Sequence, residues 1–313
     1  MRYKMKNIVN DVIYKDGFFK GKNDLNIYYK SYEVKNIIAT IVISHGFCES
    51  VEKYYEIINI FNKNDFSVFA LDHRGHGKSG RLGIDNNQIN VEKFNYYVED
   101  LRSFLDVIVE SKLNNNKLFL FAHSMGGGIG ALFLEQYNNY FNAAVLSCPM
   151  MEIDTGKYPS FISKIITKVF CIAGIGDKYI LGHGPFNKNF NDHDSKFDSS
   201  SRHYKYRNRQ QECEYLQTSG GSFNWLNESF KATRKIVKKK NAQCVNIPIL
   251  LFQAGKDTFV RSGGQNKFSR YAKDCRLVRI ENAKHEIYNE RDEILDNYIY
   301  QIIEFYNTNC NEL

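Results

Sequence analysis

Ser124 is the first residue in this sequence whose surroundings suggest chemistry. It lies between an unbroken apolar run, Leu118 to Ala122, and a stretch from Ile129 in which apolar residues recur at helical spacing. The run has the length and composition of a buried parallel strand. A serine on a tight strand-to-helix turn can present its hydroxyl as a nucleophile, but the residues two before and two after it must be small. Here they are Ala122 and Gly126, so the pattern predicts a nucleophilic serine.

The glycines after Ser124 also match a second pattern. Gly126 to Ala131 fits G-x-G-x-x-A, which in dinucleotide-binding folds brings a backbone turn close to a pyrophosphate. In that motif the first glycine follows the strand directly, whereas His123 to Met125 intervene here. The glycines therefore fall within the first helical turn, and we expect no nucleotide and no other cofactor.

A serine hydroxyl needs a base to accept its proton and an acid to orient that base. Of eight histidines, only His285 lies after the apolar strand Ile249 to Phe252 and the Asp257 that follows it. The order serine, acid, histidine is the one expected when a serine occupies this kind of turn. Asp274 and Glu281 are alternative acids, but one lies at a predicted helix end and the other just past a strand. The pattern therefore favours Ser124, Asp257 and His285 as catalytic residues.

The oxyanion formed during acyl transfer needs two fixed N–H donors. We expect one from Met125, which follows the nucleophile, and the other from Phe47, which follows the early strand ending at Ser44. Gly46 would let the backbone approach the substrate closely. Since only the main chain is used, both side chains are free to line an acyl pocket.

Two sets of histidines raise the possibility of a metal site. His285-Glu286 begins a zinc-protease motif, but Asn289 occupies the position of the second histidine. His73 and His76 lack a thiol or carboxylate cluster to complete a ligand set. We therefore expect no metal.

The elements that must position these residues alternate between strand and helix, which predicts an α/β fold with a mostly parallel sheet. Two alternating aromatic-rich runs at the start predict an N-terminal antiparallel hairpin. After Met150 the regularity ends: an apolar helix precedes a long polar tract, 187–211, and nothing in this region resembles a sheet strand. We therefore expect an α/β core from 1–150 and 222–313, with an inserted helical cap, or lid, from 151–221. The predicted strands span 12–20, 25–33, 37–44, 66–71, 118–122, 143–147, 247–254 and 276–280. The predicted helices span 51–63, 91–112, 129–137, 161–172, 222–240, 264–273 and 292–306, of which 161–172 lies in the cap.

The composition is that of a globular protein. The 313 residues carry 43% hydrophobic and 25% charged residues with a net charge of +7, and the apolar runs are far shorter than the roughly 20 residues of a membrane span. No apolar signal core is expected in residues 7–15. Seven cysteines without a C-x-x-C pair indicate reduced thiols, so a cytoplasmic location is expected.

A basic surface is predicted beside the cap. Its residues fall at helical spacing and are Lys231, Arg234, Lys235, Lys238 and Lys239. Such a face is more often a solvated helix surface than a binding site. The alternative is peripheral contact with the anionic head groups at the inner face of a membrane. No nucleic-acid motif is recognisable, so no nucleic-acid partner is expected, and the oligomeric state is left open.

With these residues identified, the sequence resembles the monoacylglycerol lipase and lysophospholipase branch of the α/β-hydrolase superfamily, and is most similar to bacterial membrane-associated lysophospholipases. The similarity covers roughly residues 38–150 and 220–300, and Ala122 stands where glycine is commoner. It implies the α/β-hydrolase fold. The matching segments are 44–47, 72–81, 94–101, 122–127, 148–150, 255–257 and 284–286.

The residues and the resemblance together predict a serine esterase that cleaves a lipid with a single acyl chain, either a lysophospholipid or a monoacylglycerol. Three other enzymes on the same scaffold remain alternatives: a carboxylesterase, a proline iminopeptidase and an acyltransferase. A non-catalytic lipid-binding relative is the alternative outside the enzymes, and the intact triad argues against it.

Overall fold

The predicted site residues follow strands of an eight-stranded sheet, which lies within the part of the chain that the structure describes. The structure is a computed structural model and describes residues 12–113, 116–188 and 198–311. The strands of these ranges are β1 (Val12–Lys20), β2 (Asn26–Val34), β3 (Ala39–Ser44), β4 (Phe66–Leu71), β5 (Gln88–Ile89), β6 (Lys117–His123), β7 (Ala143–Ser147), β8 (Gly220–Gly221), β9 (Ile249–Ala254) and β10 (Cys275–Ile280).

Helices connect most of these strands. The α-helices of the described ranges are α1 (Tyr55–Lys63), α2 (Asn95–Phe104), α3 (Met125–Gln136), α4 (Ser160–Ile172), α5 (Ser200–Glu212), α6 (Phe223–Ile236), α7 (Lys239–Ala242), α8 (Ser262–Tyr271) and α9 (Asp292–Asn311). A π-helical segment, Leu105–Val109, continues α2. Short 3-10 turns occupy Lys22–Asp24, Val51–Tyr54, Glu110–Lys112, Glu214–Leu216 and Ile287–Asn289.

The strand order confirms the predicted sheet. It runs β1-β2-β4-β3-β6-β7-β9-β10, with β5 and β8 forming a separate two-stranded pair. Strands β1 and β2 form an antiparallel hairpin, and β2 also runs antiparallel to β4, whereas every neighbour from β4 to β10 is parallel. The carboxyl ends of β3, β6, β7 and β9 therefore open on the same edge of the sheet, where the predicted site residues follow them.

Two apolar clusters cover the two faces of the sheet. Successive residues of a strand point to opposite faces, so a strand buried on both sides is apolar throughout. In β3, Val42 belongs to the cluster beneath α2, α3 and α6, while Ile41 belongs to the cluster beneath α1 and α9. In β6, Leu120 and Phe121 divide in the same way. This explains why unbroken apolar runs predicted the central strands well.

Three helical segments differ from what the sequence predicts. In the polar tract 187–211 the sequence predicts no sheet strand and names no helix, but α5 begins within it at Ser200, where the Ser199 side chain accepts the backbone N–H of Arg202. The helix predicted over 91–112 begins later, at Asn95, and continues after Phe104 as a π-helical segment and a 3-10 turn. The helix predicted over 222–240 ends at Ile236, and α7 follows as a separate turn.

The division into a core and a cap from 151–221 stays a prediction. Within the described residues of that range, α4 and α5 are present and no strand joins the eight-stranded sheet. Across the described ranges, no helix combines the length and apolar character that crossing a bilayer requires.

Candidate active site

Ser124 lies between β6 and α3 on a strained turn. Its φ of +52° is a left-handed value that a non-glycine residue adopts at a cost of about 1–3 kcal/mol. The surrounding backbone holds this turn: the Ser124 N–H donates to the Ser147 carbonyl at 3.0 Å, and the Ser124 carbonyl accepts from Met150 at 2.8 Å. A Cβ on Gly126 would lie 2.1 Å from the Ser44 carbonyl oxygen, so glycine is required there for steric reasons.

The structure brings Ser124, His285 and Asp257 together. His285 Nε2 lies 2.8 Å from Ser124 Oγ, and His285 Nδ1 lies 2.7 Å from Asp257 Oδ2. A neutral imidazole that donates from Nδ1 to the carboxylate can accept the serine proton at Nε2. All three side chains are largely buried, with 8% of Ser124 and 4% of His285 exposed. The geometry is that of an activated nucleophile with an oriented base.

Asp257 is held as a carboxylate. Burial raises its pKa, but the hydrogen bond and charge of His285, together with the backbone N–H groups of Val260 and Phe259, lower the pKa below its usual value. The two amides lie 3.0 Å and 2.8 Å from Oδ1, which leaves Oδ2 directed at the imidazole. The carboxylate can therefore stabilise an imidazolium without accepting its proton.

The alternative acids lie elsewhere. The Glu281 carboxylate forms an ion pair with Arg279, whose Nε lies 2.7 Å away. Asp274 lies just before β10, where its carbonyl accepts the Ile249 N–H. The described contacts therefore bring Asp257, and neither alternative, to His285.

Phe47 and Met125 follow neighbouring parallel strands. Residues 39–44 of β3 pair in register with 117–122 of β6, so both residues leave the same edge of the sheet just past its last paired position. Gly46 is tightly enclosed: a Cβ there would lie 2.8 Å from Glu49 Oε2 and 3.1 Å from His123 Cδ2. Donation of these two N–H groups to an oxyanion stays a prediction that this placement supports.

Two aromatic rings lie at the loop of residues 45–50, which we call the oxyanion loop because it carries the predicted donor Phe47. The Phe47 ring packs on Trp225 of α6 with ring centroids 4.0 Å apart. A Cβ on Gly221 would lie 2.9 Å from Trp225 and 3.2 Å from Ile180, so the backbone passes close beneath the rings. The Met125 side chain is buried. These contacts give the site an apolar side.

Within the described ranges, one group of side chains has the composition of a metal site. Cys148, Asp257 and His285 place their ligand atoms within 4.8 Å of one another. Both ring nitrogens of His285 already engage Ser124 and Asp257, and burial raises the pKa of the Cys148 thiol well above its usual value. A neutral thiol is a poor metal ligand, so the group fits an acid–base pair beside a packing cysteine better than a metal centre.

His73 and His76 lie outside that group. Burial lowers the pKa of both imidazoles well below the usual value. His73 Nε2 lies 2.9 Å from Ser44 Oγ, and both rings pack against Tyr97. These contacts fit a structural role beneath the oxyanion loop.

Sequence reasoning missed a set of buried charges next to the site. Glu49, Lys53 and Glu286 lie between the loops that carry Phe47 and His285. The signal available in the sequence was weak, because Glu and Lys at these spacings also occur on exposed helices.

Comparison with known proteins supports the fold and the family. The family model described as serine aminopeptidase, S33, matches residues 35–292. Lysophospholipase L2 from Escherichia coli strain K12 is 28% identical over 302 residues, which cover 92% of this chain and 86% of the relative. A monoacylglycerol lipase from Mycolicibacterium smegmatis is 30% identical over 131 residues, or 41% of this chain and 45% of the relative.

A solved structure shows the same fold. A soluble variant of monoglyceride lipase from Saccharomyces cerevisiae matches with a TM-score of 0.76 at 20% identity, covering 98% of each chain. The predicted α/β-hydrolase fold is thereby confirmed. The chain belongs to the serine aminopeptidase S33 family, and it is an ester hydrolase of the α/β-hydrolase branch that contains the monoacylglycerol lipases and lysophospholipases.

Proposed function

We propose that this protein hydrolyses the ester of a lipid with a single acyl chain, with Ser124, His285 and Asp257 as its catalytic residues. The observation that carries this proposal is the position of the His285 ring, 2.8 Å from Ser124 Oγ and 2.7 Å from Asp257 Oδ2. The names of the relatives, lysophospholipase L2 and monoacylglycerol lipase, support a lysophospholipid or a monoacylglycerol as substrate.

In this mechanism Ser124 Oγ attacks the ester carbonyl while its proton passes to His285 Nε2. The N–H groups of Phe47 and Met125 stabilise the negative charge on the carbonyl oxygen. The intermediate then collapses, and His285 returns the proton to the leaving alcohol. Water, deprotonated by the same imidazole, attacks the acyl-enzyme and releases a fatty acid and free Ser124.

The apolar surroundings favour a single acyl chain. The half-buried Phe47 ring packs on Trp225, the buried Met125 directly follows Ser124, and burying methylene groups against such apolar side chains contributes about 0.8 kcal/mol each. A direct comparison of turnover on a lysophospholipid and on a monoacylglycerol decides whether the head group is phosphorylated.

The second candidate is an aminopeptidase of the proline iminopeptidase type. The description of the matching family model, serine aminopeptidase, favours it. The triad serves amides as well as esters, so an amide substrate panel separates the two candidates. Ester turnover without amide turnover would support the lipid ester hydrolase.

We also propose peripheral contact with an anionic membrane. The predicted basic residues Lys231, Arg234 and Lys235 are exposed on α6, and Lys238 and Lys239 follow it. Helix α4, which packs on α6, adds an exposed apolar stripe. Basic and apolar surfaces side by side suit a membrane interface, and such contact would fit a cytoplasmic protein at the inner leaflet.

The first test uses purified protein with medium-chain p-nitrophenyl esters and a fluorophosphonate probe. The unchanged protein should turn over the esters and become labelled, and Ser124→Ala should abolish both because the attacking oxygen is lost. Persistent labelling of Ser124→Ala would contradict the assignment. A parallel incubation with lysophosphatidylethanolamine and monoacylglycerol then identifies the preferred head group.

A further inference from the structure

A cluster of three charged side chains is buried between the two loops of the candidate site. Glu49 is 2% exposed, the Lys53 side chain 6% and Glu286 0%. The mechanism above uses none of them. Removing charges from water is costly unless they are paired and hydrogen-bonded, so this cluster needs a reason.

Glu49 holds the oxyanion loop. Its Oε2 accepts the Gly46 N–H at 2.7 Å and the Tyr54 hydroxyl at 2.6 Å. Gly46 immediately precedes Phe47, whose N–H is the predicted oxyanion donor. The bond therefore fixes the peptide next to that donor, and charge-assisted bonds of this length are among the strong ones in proteins.

Glu286 is hydrogen-bonded within the loop of residues 281–291 that carries His285, which we call the histidine loop. It follows His285 directly, and its Oε2 accepts from Asn289 Nδ2 at 3.0 Å within the same loop. Tyr288 of this loop donates its hydroxyl to Glu49 Oε1, also at 3.0 Å. The two loops thus contact each other through Glu49.

Lys53 joins the two carboxylates. Its Nζ lies 2.6 Å from Glu286 Oε1 and 3.0 Å from Glu49 Oε1. Burial alone would lower the pKa of Lys53, but Glu286 and Glu49 raise it above its usual value, so the ammonium stays charged. One cation therefore pairs with two anions that belong to different parts of the site.

We propose that Lys53 is a positioning residue, which keeps the Phe47 N–H and the His285 imidazole at the separation that the transition state requires. It acts through Glu49 and Glu286 and does not touch the reacting atoms. This inference rests on the proposed ester hydrolysis. Without the ammonium, two carboxylates would repel each other across the gap between the loops, and a displacement of about 1 Å at a catalytic group can cost about 100-fold in rate.

The test compares Lys53→Met, Lys53→Arg and the charge-balanced double variant Lys53→Met/Glu286→Gln on a p-nitrophenyl ester, with folding checked by circular dichroism. In the folded Lys53→Met protein, kcat should fall about 10- to 100-fold while KM stays within about twofold, because orientation is lost and substrate binding is not. Fluorophosphonate labelling should slow in parallel, since the probe also forms an oxyanion. Lys53→Arg should recover most of kcat. The matched control is Lys15→Met, which removes an exposed lysine from an ion pair with Glu33 on the hairpin and should leave kcat unchanged.

Each result decides the proposal. A folded Lys53→Met protein with kcat within about twofold of the unchanged protein would overturn the proposal, and recovery of kcat in the double variant would show that repulsion between the two carboxylates causes the loss. Failure of both variants to fold would also overturn it, by showing that the cluster serves stability instead. If the unchanged protein neither turns over esters nor becomes labelled, the proposed function itself fails, which is distinct from an active protein whose Lys53 variants are equally active.

Discussion

At Ser124, reactivity depends on backbone shape as much as on side-chain type. Its positive φ directs Oγ towards His285, and the bonds to Ser147 and Met150 offset the cost of that conformation. Gly126 is then required because its backbone crosses close to the Ser44 carbonyl. The small residues around the serine are therefore a steric consequence of the turn, and this is why the motif could be found in one sequence without relatives.

Glu135 carries a buried carboxyl group whose burial is costly. Neither carboxyl oxygen of Glu135, on α3, has a hydrogen-bond partner among the described residues. Burial raises the pKa of Glu135 to about 8 from its ordinary value of 4.5, although the charge of Lys235 acts in the opposite direction. The folded protein therefore holds this side chain neutral at pH values where the unfolded chain has already released the proton.

From this follows a pH-dependent prediction for Glu135→Gln. The cost of Glu135 to folding is absent below about pH 4.5, grows between pH 4.5 and 8, and is complete above pH 8. The substitution should hence raise Tm clearly at pH 9 and little at pH 5, as measured by thermal unfolding. The exposed Glu293→Gln serves as control and should show no such pH-dependent gain. An equal shift of Tm for Glu135→Gln at both pH values would contradict the burial argument.

At the scale of elements, α5 is held against the core by charges. Arg202 donates to both Glu56 oxygens, at 2.8 Å and 2.6 Å, and Arg209 lies 3.1 Å from Glu52. Between them Tyr206 lies over Lys53, with Nζ 5.1 Å from the ring centroid. The helix therefore presents one polar stripe to the segment that contains Lys53.

We expect Arg202→Ala to loosen α5. The arginine also pairs with Asp292 and the Glu290 carbonyl, but most of these acidic groups are partly exposed, so the loss should be about 1 kcal/mol. Hydrogen exchange over residues 200–212 should then speed up about fivefold, and added salt should produce part of the same effect in the unchanged protein. Lys205→Ala, an exposed change on the same helix, should leave exchange unaltered. Unchanged exchange in Arg202→Ala would show that other contacts dock the helix.

The elements differ in how far the sequence could predict them. Strands β4 and β7 were predicted at their observed bounds, because burial on both faces makes every residue but Ser67 and Ser147 apolar. Helix α5 was missed because its attachment comes from ion pairs with distant segments, which leave no apolar periodicity. The site shows the same contrast. Ser124, Asp257 and His285 could be predicted from their order along the chain, whereas nothing in the local sequence distinguishes a buried Glu49 or Lys53 from a solvated one.

The whole molecule presents one face suited to a lipid surface. On α4, Phe161, Ile165, Val169 and Ile172 are between 55% and 76% exposed and follow one another at helical spacing. Lys164 and Lys168 lie exposed on the same helix. A large exposed apolar stripe commonly marks an interaction site, and a flanking ammonium favours anionic head groups.

Vesicle binding tests this face. Phe161→Ser/Ile165→Ser should reduce sedimentation with phosphatidylglycerol vesicles several-fold, while turnover of a soluble p-nitrophenyl ester stays the same, since both side chains are exposed and neither is a proposed catalytic residue. Phe18→Ser, which removes an equally exposed ring from the hairpin, is the matched control and should bind as the unchanged protein does. Undiminished binding by the double variant, or equal binding to phosphatidylcholine, would contradict a membrane-facing α4 with anionic preference.

The contact between Phe47 and Trp225 has a practical consequence. Trp225 is the single tryptophan of the chain, and its indole is 5% exposed. Its emission therefore reports on one pair of rings, one of which belongs to the residue proposed to donate to the oxyanion. An acyl chain that entered beside this pair would change the light emitted by the protein, so its binding could be followed in real time without attaching a dye.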